Sequence, residues 1–66
     1  MKDIYHLTFE KEHWVLRWEE SSYPILDFNT LTTDEAIEQS VKYVSSVGGK
    51  LIIHNESGRN IEELNF

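Results

Sequence analysis

Two neighbouring stretches of this chain alternate between apolar and polar residues with a period of two, and this pattern limits the first half of the chain to paired strands. The stretch from His13 to Glu19 alternates most cleanly, with Trp14 and Trp18 on the same face. The stretch from Ile4 to Phe9 precedes it, and the charged residues 10–12 separate the two. Period-two patterning around a short polar break is typical of an antiparallel hairpin. The sequence therefore predicts a hairpin as the first element.

A third, shorter strand is predicted from Ile25 to Phe28, after a turn from Glu19 to Ser22. Pro24 precedes this strand and has no amide hydrogen to donate to a sheet. We therefore expect it to lie at an edge of the sheet or at the start of the strand.

The second half begins with the pattern of a capped helix. Thr32 and Glu35 have the spacing of a capping box, in which the threonine is the N-cap and the glutamate reaches back to its amide. Apolar or small residues then recur with helical spacing, and the Gly48-Gly49 pair supplies the left-handed residue that often ends a helix. The positions of this stripe are Ala36, Ile37, Ser40, Val41, Val44 and Val47. The spacing predicts one helix between Thr32 and Gly48.

The remaining segments complete the predicted order of elements. Lys50 to Asn55 has the character of a strand, and Asn55 to Gly58 that of a turn. The tail from Arg59 to Phe66 fits either a short strand or an irregular packing arm. The expected fold class is α+β, as a three-stranded antiparallel meander followed by one helix and a further strand (β-β-β-α-β), with the helix on one face of a mostly antiparallel sheet. Residues 1–66 are expected to form a single small domain.

The composition excludes several classes of protein. The 66 residues include no Cys, so neither a disulfide framework nor a thiolate metal site is expected. The longest uninterrupted apolar runs, such as residues 51–53, are far shorter than the roughly 20 residues of a membrane helix. The amino terminus lacks the apolar segment of a signal peptide. We therefore expect a cytoplasmic protein with no membrane partner.

Four short motifs of this chain resemble those of a known family. They are Trp14-Val15 in the hairpin, Thr33-x-Glu35-Ala36-Ile37 at the start of the helix, Gly48-Gly49-Lys50-Leu51-Ile52-Ile53-His54-Asn55, and Ser57-Gly58-Arg59-x-Ile61. Over roughly residues 13–61 the chain resembles a small bacterial family catalogued as domain of unknown function 2188. It departs from that family at Glu10-Lys11-Glu12, where a Gly-rich turn is usual, and in having fewer basic residues on the helix. The resemblance implies the same fold and implies no activity.

The sequence has few residues that could form a reactive site, and we expect no catalytic, cofactor-binding or metal-binding residues. His6 and His54 would be neighbours if their strands pair, and two imidazoles with a carboxylate can bind a metal. However, these residues and His13 show none of the short His-His spacings of metal sites, so we expect polar sheet residues, with His54 fixing the turn that follows it. The acid pairs at 19–20, 34–35 and 62–63 fit turns, a helix start and the tail better than a catalytic pair. The protein is therefore expected not to be an enzyme.

The hairpin carries more apolar surface than one helix of about 15 residues can cover. Either the tail covers the remainder, or a second copy of the chain does, since small domains without disulfides or metals often gain stability by oligomerising. We expect a homodimer. The side chains expected to form a dimer or other hydrophobic contact are Trp14, Trp18 and Phe66.

The formal net charge of −6 predicts a basic partner. We expect a non-enzymatic interaction module that binds a basic protein, which includes the case of a phage-type inhibitor that blocks a DNA-binding protein by imitating DNA phosphates. Direct nucleic-acid binding is not favoured, because the six Lys and Arg residues are scattered. The alternatives are nucleic-acid binding through exposed sheet aromatics and a purely hydrophobic protein-binding surface. The carboxylates expected to contact the partner are Glu10, Glu12, Glu19, Glu20, Asp34, Glu35 and Glu38.

Overall fold

In the computed structural model of the protein, residues 3–21, 23–28 and 32–66 are described and form a mixed five-stranded sheet with one helix on one face. Ser22, the last residue of the predicted turn after Glu19, lies outside these residues. The strand order across the sheet is β3-β2-β1-β4-β5. The elements are β1 (Ile4–Glu10), β2 (His13–Trp18), β3 (Pro24–Phe28), α1 (Thr33–Val47), β4 (Lys50–His54) and β5 (Asn60–Asn65).

The predicted α+β class with one helix is confirmed, but the sheet of the described chain has five strands instead of four. Strands β1, β2 and β3 pair antiparallel as the predicted meander. Strand β3 runs in the same direction as β1, and α1 then carries the chain back to the end of the sheet where these strands begin. Strand β4 therefore runs in that direction as well and pairs parallel with β1. The helix therefore places β4 in the interior of the sheet, beside β1.

The tail forms a fifth strand, which is the first of the two alternatives that the sequence left open. Strand β5 pairs antiparallel with β4, with Leu51 opposite Leu64. The register shifts between Ile53 and His54, which pair with Glu62 and Asn60, so Ile61 is the extra residue of a β-bulge. This bulge interrupts the alternation of the tail and explains why its strand pattern is weak.

The helix begins and ends as the capping pattern predicts. The Thr32 side chain accepts a hydrogen bond from the amide of Glu35, and the Thr32 amide donates to Glu35 Oε1 at 3.2 Å. Trp14 Nε1 donates to Thr33 Oγ1 at 3.2 Å, which fixes the first turn of the helix beside β2. At the other end, Gly48 has a φ of 80° and its amide donates to the Val44 carbonyl at 2.8 Å.

The core lies between α1 and the three middle strands. The helix contacts β1, β2 and β4, and buries Ala36, Ser40 and Val44 against them. The prediction that Val47 belongs to the buried stripe is wrong, because its side chain is 51% exposed in the last turn, next to the glycines that end the helix. The largest fully buried strand side chains are Leu7, Leu16, Leu51 and Ile53.

The sheet has a helix-covered face and a helix-free face, and the strand registers confirm the predicted alternation of the hairpin. Phe9 lies opposite Trp14 and Leu7 opposite Leu16 on the helix-covered face. The intervening side chains project to the helix-free face and are mostly polar. The apolar exceptions are Ile4, which is half-buried, and Val15, which is buried there.

A stability prediction follows from the turn between β1 and β2. Lys11 and Glu12 have φ values of 51° and 68°, and the flanking residues Glu10 and His13 pair directly. Two-residue hairpin turns with positive φ at both positions favour Asn-Gly, because other residues adopt this conformation at a cost. We expect the double substitution Lys11→Asn, Glu12→Gly to raise the free energy of unfolding by about 1 kcal/mol, measured by urea denaturation. The control Lys11→Ala, Glu12→Ala should give no increase, and an equal increase would contradict the explanation.

Candidate functional site

One end of the molecule, which we call the helix-start end, collects the first two turns of α1, the β1–β2 turn and the turn between β4 and β5. The bond between Trp14 and Thr33 places the start of the helix beside the start of β2. Since β4 runs parallel to β1, the carboxyl ends of both strands lie at this end. The β4–β5 turn at residues 55–58 therefore faces the first turns of the helix.

The structure divides the seven predicted partner-binding acids between two ends of the molecule. Glu19 and Glu20 follow β2 at the opposite end, roughly 20 Å away along β1 at 3.3 Å per residue. The seven acids thus do not form one continuous array. Those at the helix-start end are Glu10, Glu12, Asp34, Glu35 and Glu38.

An apolar pocket of about 110 Å³ opens at the helix-start end, between the helix and the β4–β5 turn. Ile61, the bulged residue of β5, is 59% exposed and forms part of its wall. Glu56, in the turn, adds a carboxylate beside the apolar wall. The full lining is Trp14, Thr33, Ile37, Ile53, His54, Asn55, Glu56 and Ile61.

Hydrogen bonds hold the β4–β5 turn that borders the pocket. Asn55 Oδ1 accepts from the amides of Ser57 and Arg59 at 3.0 and 2.9 Å, and the Asn55 carbonyl accepts from the Gly58 amide at 2.9 Å. His54 Nδ1 lies 3.2 Å from the Gly58 carbonyl oxygen, which confirms the prediction that His54 fixes this turn. The pocket therefore has a defined rim.

The carboxylates of Glu10 and Glu63, on the helix-free face, form hydrogen bonds and ion pairs with neighbouring side chains. Arg17 donates from Nε and from one terminal nitrogen to the two carboxylate oxygens of Glu10, at 2.5 and 2.7 Å. Hydrogen bonds from Arg17 and then from Thr8 lower the pKa of Glu10 to about 2. Lys50 Nζ lies 2.9 Å from Glu63, and its hydrogen bond lowers the pKa of that carboxyl.

A second, polar groove of about 280 Å³ lies on the helix-free face, over Val15. His13 Nε2 and Asp27 Oδ1 are 3.0 Å apart along it, and the Arg17–Glu10 pair also lines it. The two acids of its lining, Glu10 and Asp27, balance the formal charges of Lys11 and Arg17, so the groove presents little net charge to a ligand.

The three histidines all lie on the helix-free face, and two of them are adjacent. Strands β1 and β4 pair, and His6 Nδ1 and His54 Nε2 are 3.0 Å apart, which confirms the prediction that the two residues are neighbours if their strands pair. His13 lies two strands from β4, beside Asp27. Among the described residues, no group of three or more His, Asp or Glu side chains is placed to hold a metal ion.

The predicted hydrophobic contact residues are partly or largely buried. Trp14 is only 4% exposed and belongs to the core, and it also lines the pocket, so its contact with a partner stays a prediction that is restricted to the pocket wall. Trp18 and Phe66 are half-buried and pack against the core. These two residues retain exposed surface outside the pocket.

Comparison of the chain with protein-family models, with characterised proteins and with solved structures gives no match. The resemblance to domain of unknown function 2188 therefore stays a prediction. In the described part of the chain, no helix has the length and apolar character that crossing a membrane demands.

The low pKa of Glu10 predicts an acid-dependent loss of stability. Because the folded carboxyl has a pKa of about 2, below its usual 4.5, the native state binds fewer protons than the unfolded state between these values. The Glu10–Arg17 contribution should be complete above pH 4.5 and disappear as the pH falls towards 2. We expect Glu10→Gln to cost about 1 kcal/mol near neutral pH, given the partial exposure of the pair, and almost nothing near pH 2, by urea denaturation.

The matched control is Glu20→Gln, since Glu20 is exposed and makes no ion pair within the described chain. This variant should follow the wild-type dependence of stability on pH. A cost of Glu10→Gln that stays constant across the whole pH range would contradict the assignment of the acid loss to Glu10.

Proposed function

We propose that this protein is a non-enzymatic interaction module that binds a basic protein segment at the helix-start end. The observation that carries this proposal is the apolar pocket of Trp14, Ile37, Ile53 and Ile61, with the carboxylate of Glu56 in its lining. An apolar side chain of the partner would enter the pocket, and flanking Lys or Arg residues would face the acids.

Charge complementarity supports a basic occupant. Glu12, Asp34, Glu38 and Glu56 are exposed and make no ion pair within the described residues. Asp34 precedes the pocket residue Ile37 by three positions, so their side chains are neighbours on the helix surface, and Glu38 follows Asp34 by four positions on the same side of the helix. Exposed carboxylates of this kind attract positive partners and accelerate their association.

The pocket size supports an aliphatic anchor. Its volume of about 110 Å³ is smaller than the roughly 150 Å³ of an enclosed cavity that holds benzene, so an aliphatic side chain fills it more completely than an aromatic ring, part of which would stay outside. A Leu, Ile, Val or Met side chain in a basic segment suits both the pocket and the carboxylates.

The wider hypothesis of DNA imitation depends on carboxylates that are engaged in the fold. Glu10 is bonded by Arg17 and Thr8, and Glu19 Oε1 lies 3.1 Å from His6 Nε2. We therefore propose the local contact at the helix-start end as the primary mode. If the basic partner is a DNA-binding protein, this contact would compete with phosphates, as the inhibitor hypothesis requires.

The test uses a synthetic peptide with one Leu flanked on both sides by Lys and Arg, titrated into isotopically labelled protein and followed by NMR. We expect chemical-shift changes at Ile37, Ile53, Glu56 and Ile61, and weaker binding as salt is added. Replacement of the peptide Leu by Ser should weaken binding about tenfold or more, because the buried aliphatic contact is lost. Shifts confined to other surfaces, or no dependence on the Leu, would contradict the proposal.

Matched charge variants locate the acidic contact. Asp34→Asn with Glu38→Gln removes two negative charges beside the pocket, and Glu19→Gln with Glu20→Gln removes two at the opposite end. We expect the first pair to weaken peptide binding several-fold and the second to leave it nearly unchanged. Equal weakening by both pairs would indicate attraction to net charge alone and would contradict a local site.

We also propose that two copies associate, as the apolar surface of the hairpin suggested. The helix packs on β1, β2 and β4, and the half-buried side chains of Trp18, Ile25 and Leu26 lie on or next to β3 at the edge of the sheet. Sedimentation at high micromolar concentration should give a particle of twice the chain mass. Trp18→Ala should shift it towards the monomer, whereas Ile61→Ser, at the helix-start end, should not. A wild-type monomer under these conditions would refute the dimer.

A further inference from the structure

The helix-free face contains a chain of contacts through two imidazoles that none of the roles above uses. Glu19 Oε1 lies 3.1 Å from His6 Nε2, His6 Nδ1 lies 3.0 Å from His54 Nε2, and His54 Nδ1 lies 3.2 Å from the Gly58 carbonyl oxygen. The chain links β1, β4, the residue after β2 and the β4–β5 turn. Its centre is the pair of nitrogens that face each other.

The outer partners decide which nitrogens carry hydrogen. A carbonyl oxygen only accepts hydrogen bonds, so His54 Nδ1 donates to Gly58. An ionised carboxylate also only accepts, so His6 Nε2 donates to Glu19. In the neutral rings, His6 Nδ1 and His54 Nε2 therefore carry no hydrogen. Their lone pairs point at one another, and the two nitrogens are 3.0 Å apart.

Two facing lone pairs repel each other unless a cation joins them. A proton can do so, since a His6 imidazolium would donate to both Glu19 and His54, and a metal ion bound to both nitrogens can do so as well. The same arrangement is the one that metal-binding histidines adopt, with the remote N–H held by a carboxylate or a backbone carbonyl. Here both imidazoles have that support, from Glu19 and from Gly58. The support fixes the ring orientations before any ion arrives.

We propose that His6 and His54 are the two protein ligands of a binding site for zinc or a similar late first-row transition-metal ion. Imidazole nitrogen suits these ions, and two Zn–N bonds of about 2.0–2.1 Å at the tetrahedral angle place the nitrogens about 3.3 Å apart. The observed 3.0 Å needs an opening of about 0.3 Å together with a small rotation of both rings, because the two nitrogens face each other more nearly head-on than they would around a tetrahedral ion. The nearest nitrogens lie between ring centroids 5.2 Å apart, so both lone pairs point into the gap.

The remaining coordination positions are open to water. The His6 side chain is 24% exposed, and His54 is half-buried at the last residue of β4. Arg17, opposite His6 in the β1–β2 ladder, has its charge balanced by Glu10, which limits its repulsion of a cation. With two protein ligands and water, the ion would exchange rapidly, as in a site that takes up and releases metal.

The experiment titrates Zn²⁺ into the wild-type protein at neutral pH by calorimetry, in parallel with NMR of the imidazole nitrogens. We expect one ion for each chain, or one for two chains, with the largest shifts at His6 Nδ1 and His54 Nε2. Addition of a chelator should restore the original spectrum. No binding at millimolar Zn²⁺, or shifts confined to His13 or the carboxylates, would overturn the proposal.

Three variants separate these ligands from other groups. His6→Asn and His54→Asn should each weaken Zn²⁺ binding about tenfold or more, and Glu19→Gln should weaken it about tenfold through the loss of ring support. The control is His13→Asn, which removes the third imidazole of the same face and should bind Zn²⁺ like the wild type. Wild-type Zn²⁺ affinity in both His6→Asn and His54→Asn would overturn the proposal. The NMR titration of the imidazole nitrogens uses the wild-type protein, so it tests the site without any variant.

Discussion

The parallel pairing of β1 with β4 is the contact on which the rest of the structure depends. It joins segments that are distant in sequence, with Leu7 beside Ile53, and it puts two of the four largest buried strand side chains into the core. The approach is close at its start, since a Cβ at Gly49 would lie 2.6 Å from the Asp3 carbonyl oxygen. Without this pairing β5 has no neighbour, His54 does not reach His6, and the pocket at the helix-start end loses one wall.

The local elements could be predicted from the sequence because their signals are local. The hairpin follows from alternation within 4–19, and the helix from the Thr32–Glu35 spacing and the glycines after Val47. The position of β4 could not be predicted in the same way, because it depends on which strand the returning chain meets. The last strand was ambiguous for a specific reason, the bulge at Ile61, which removes the period of two from the tail.

The candidate site shows the same division between local and long-range information. Counting charges predicts an acidic surface but cannot show that Glu10 is bonded to Arg17, a residue of the adjacent strand that lies seven positions later in the chain. Nor does any sequence pattern point to Glu56, whose carboxylate borders the pocket only because the β4–β5 turn packs against the start of the helix. The sequence predicts that His6 and His54 are neighbours if their strands pair. It does not predict that Glu19 and the Gly58 carbonyl hold the two rings, which only the structure shows.

His54 lies at the boundary of the two proposed sites, and strand geometry explains how they can stay separate. Alternation along β4 directs Ile53 to the helix-covered face and His54 to the helix-free face, so the pocket reaches His54 only where the strand ends. Peptide binding would rest on aliphatic side chains and exposed carboxylates, and metal binding on two lone pairs on the other side of the sheet. The residues that would carry each activity otherwise differ. Loss of Zn²⁺ binding in His6→Asn therefore leaves the pocket proposal standing, and loss of peptide binding in Asp34→Asn with Glu38→Gln leaves the imidazole site intact.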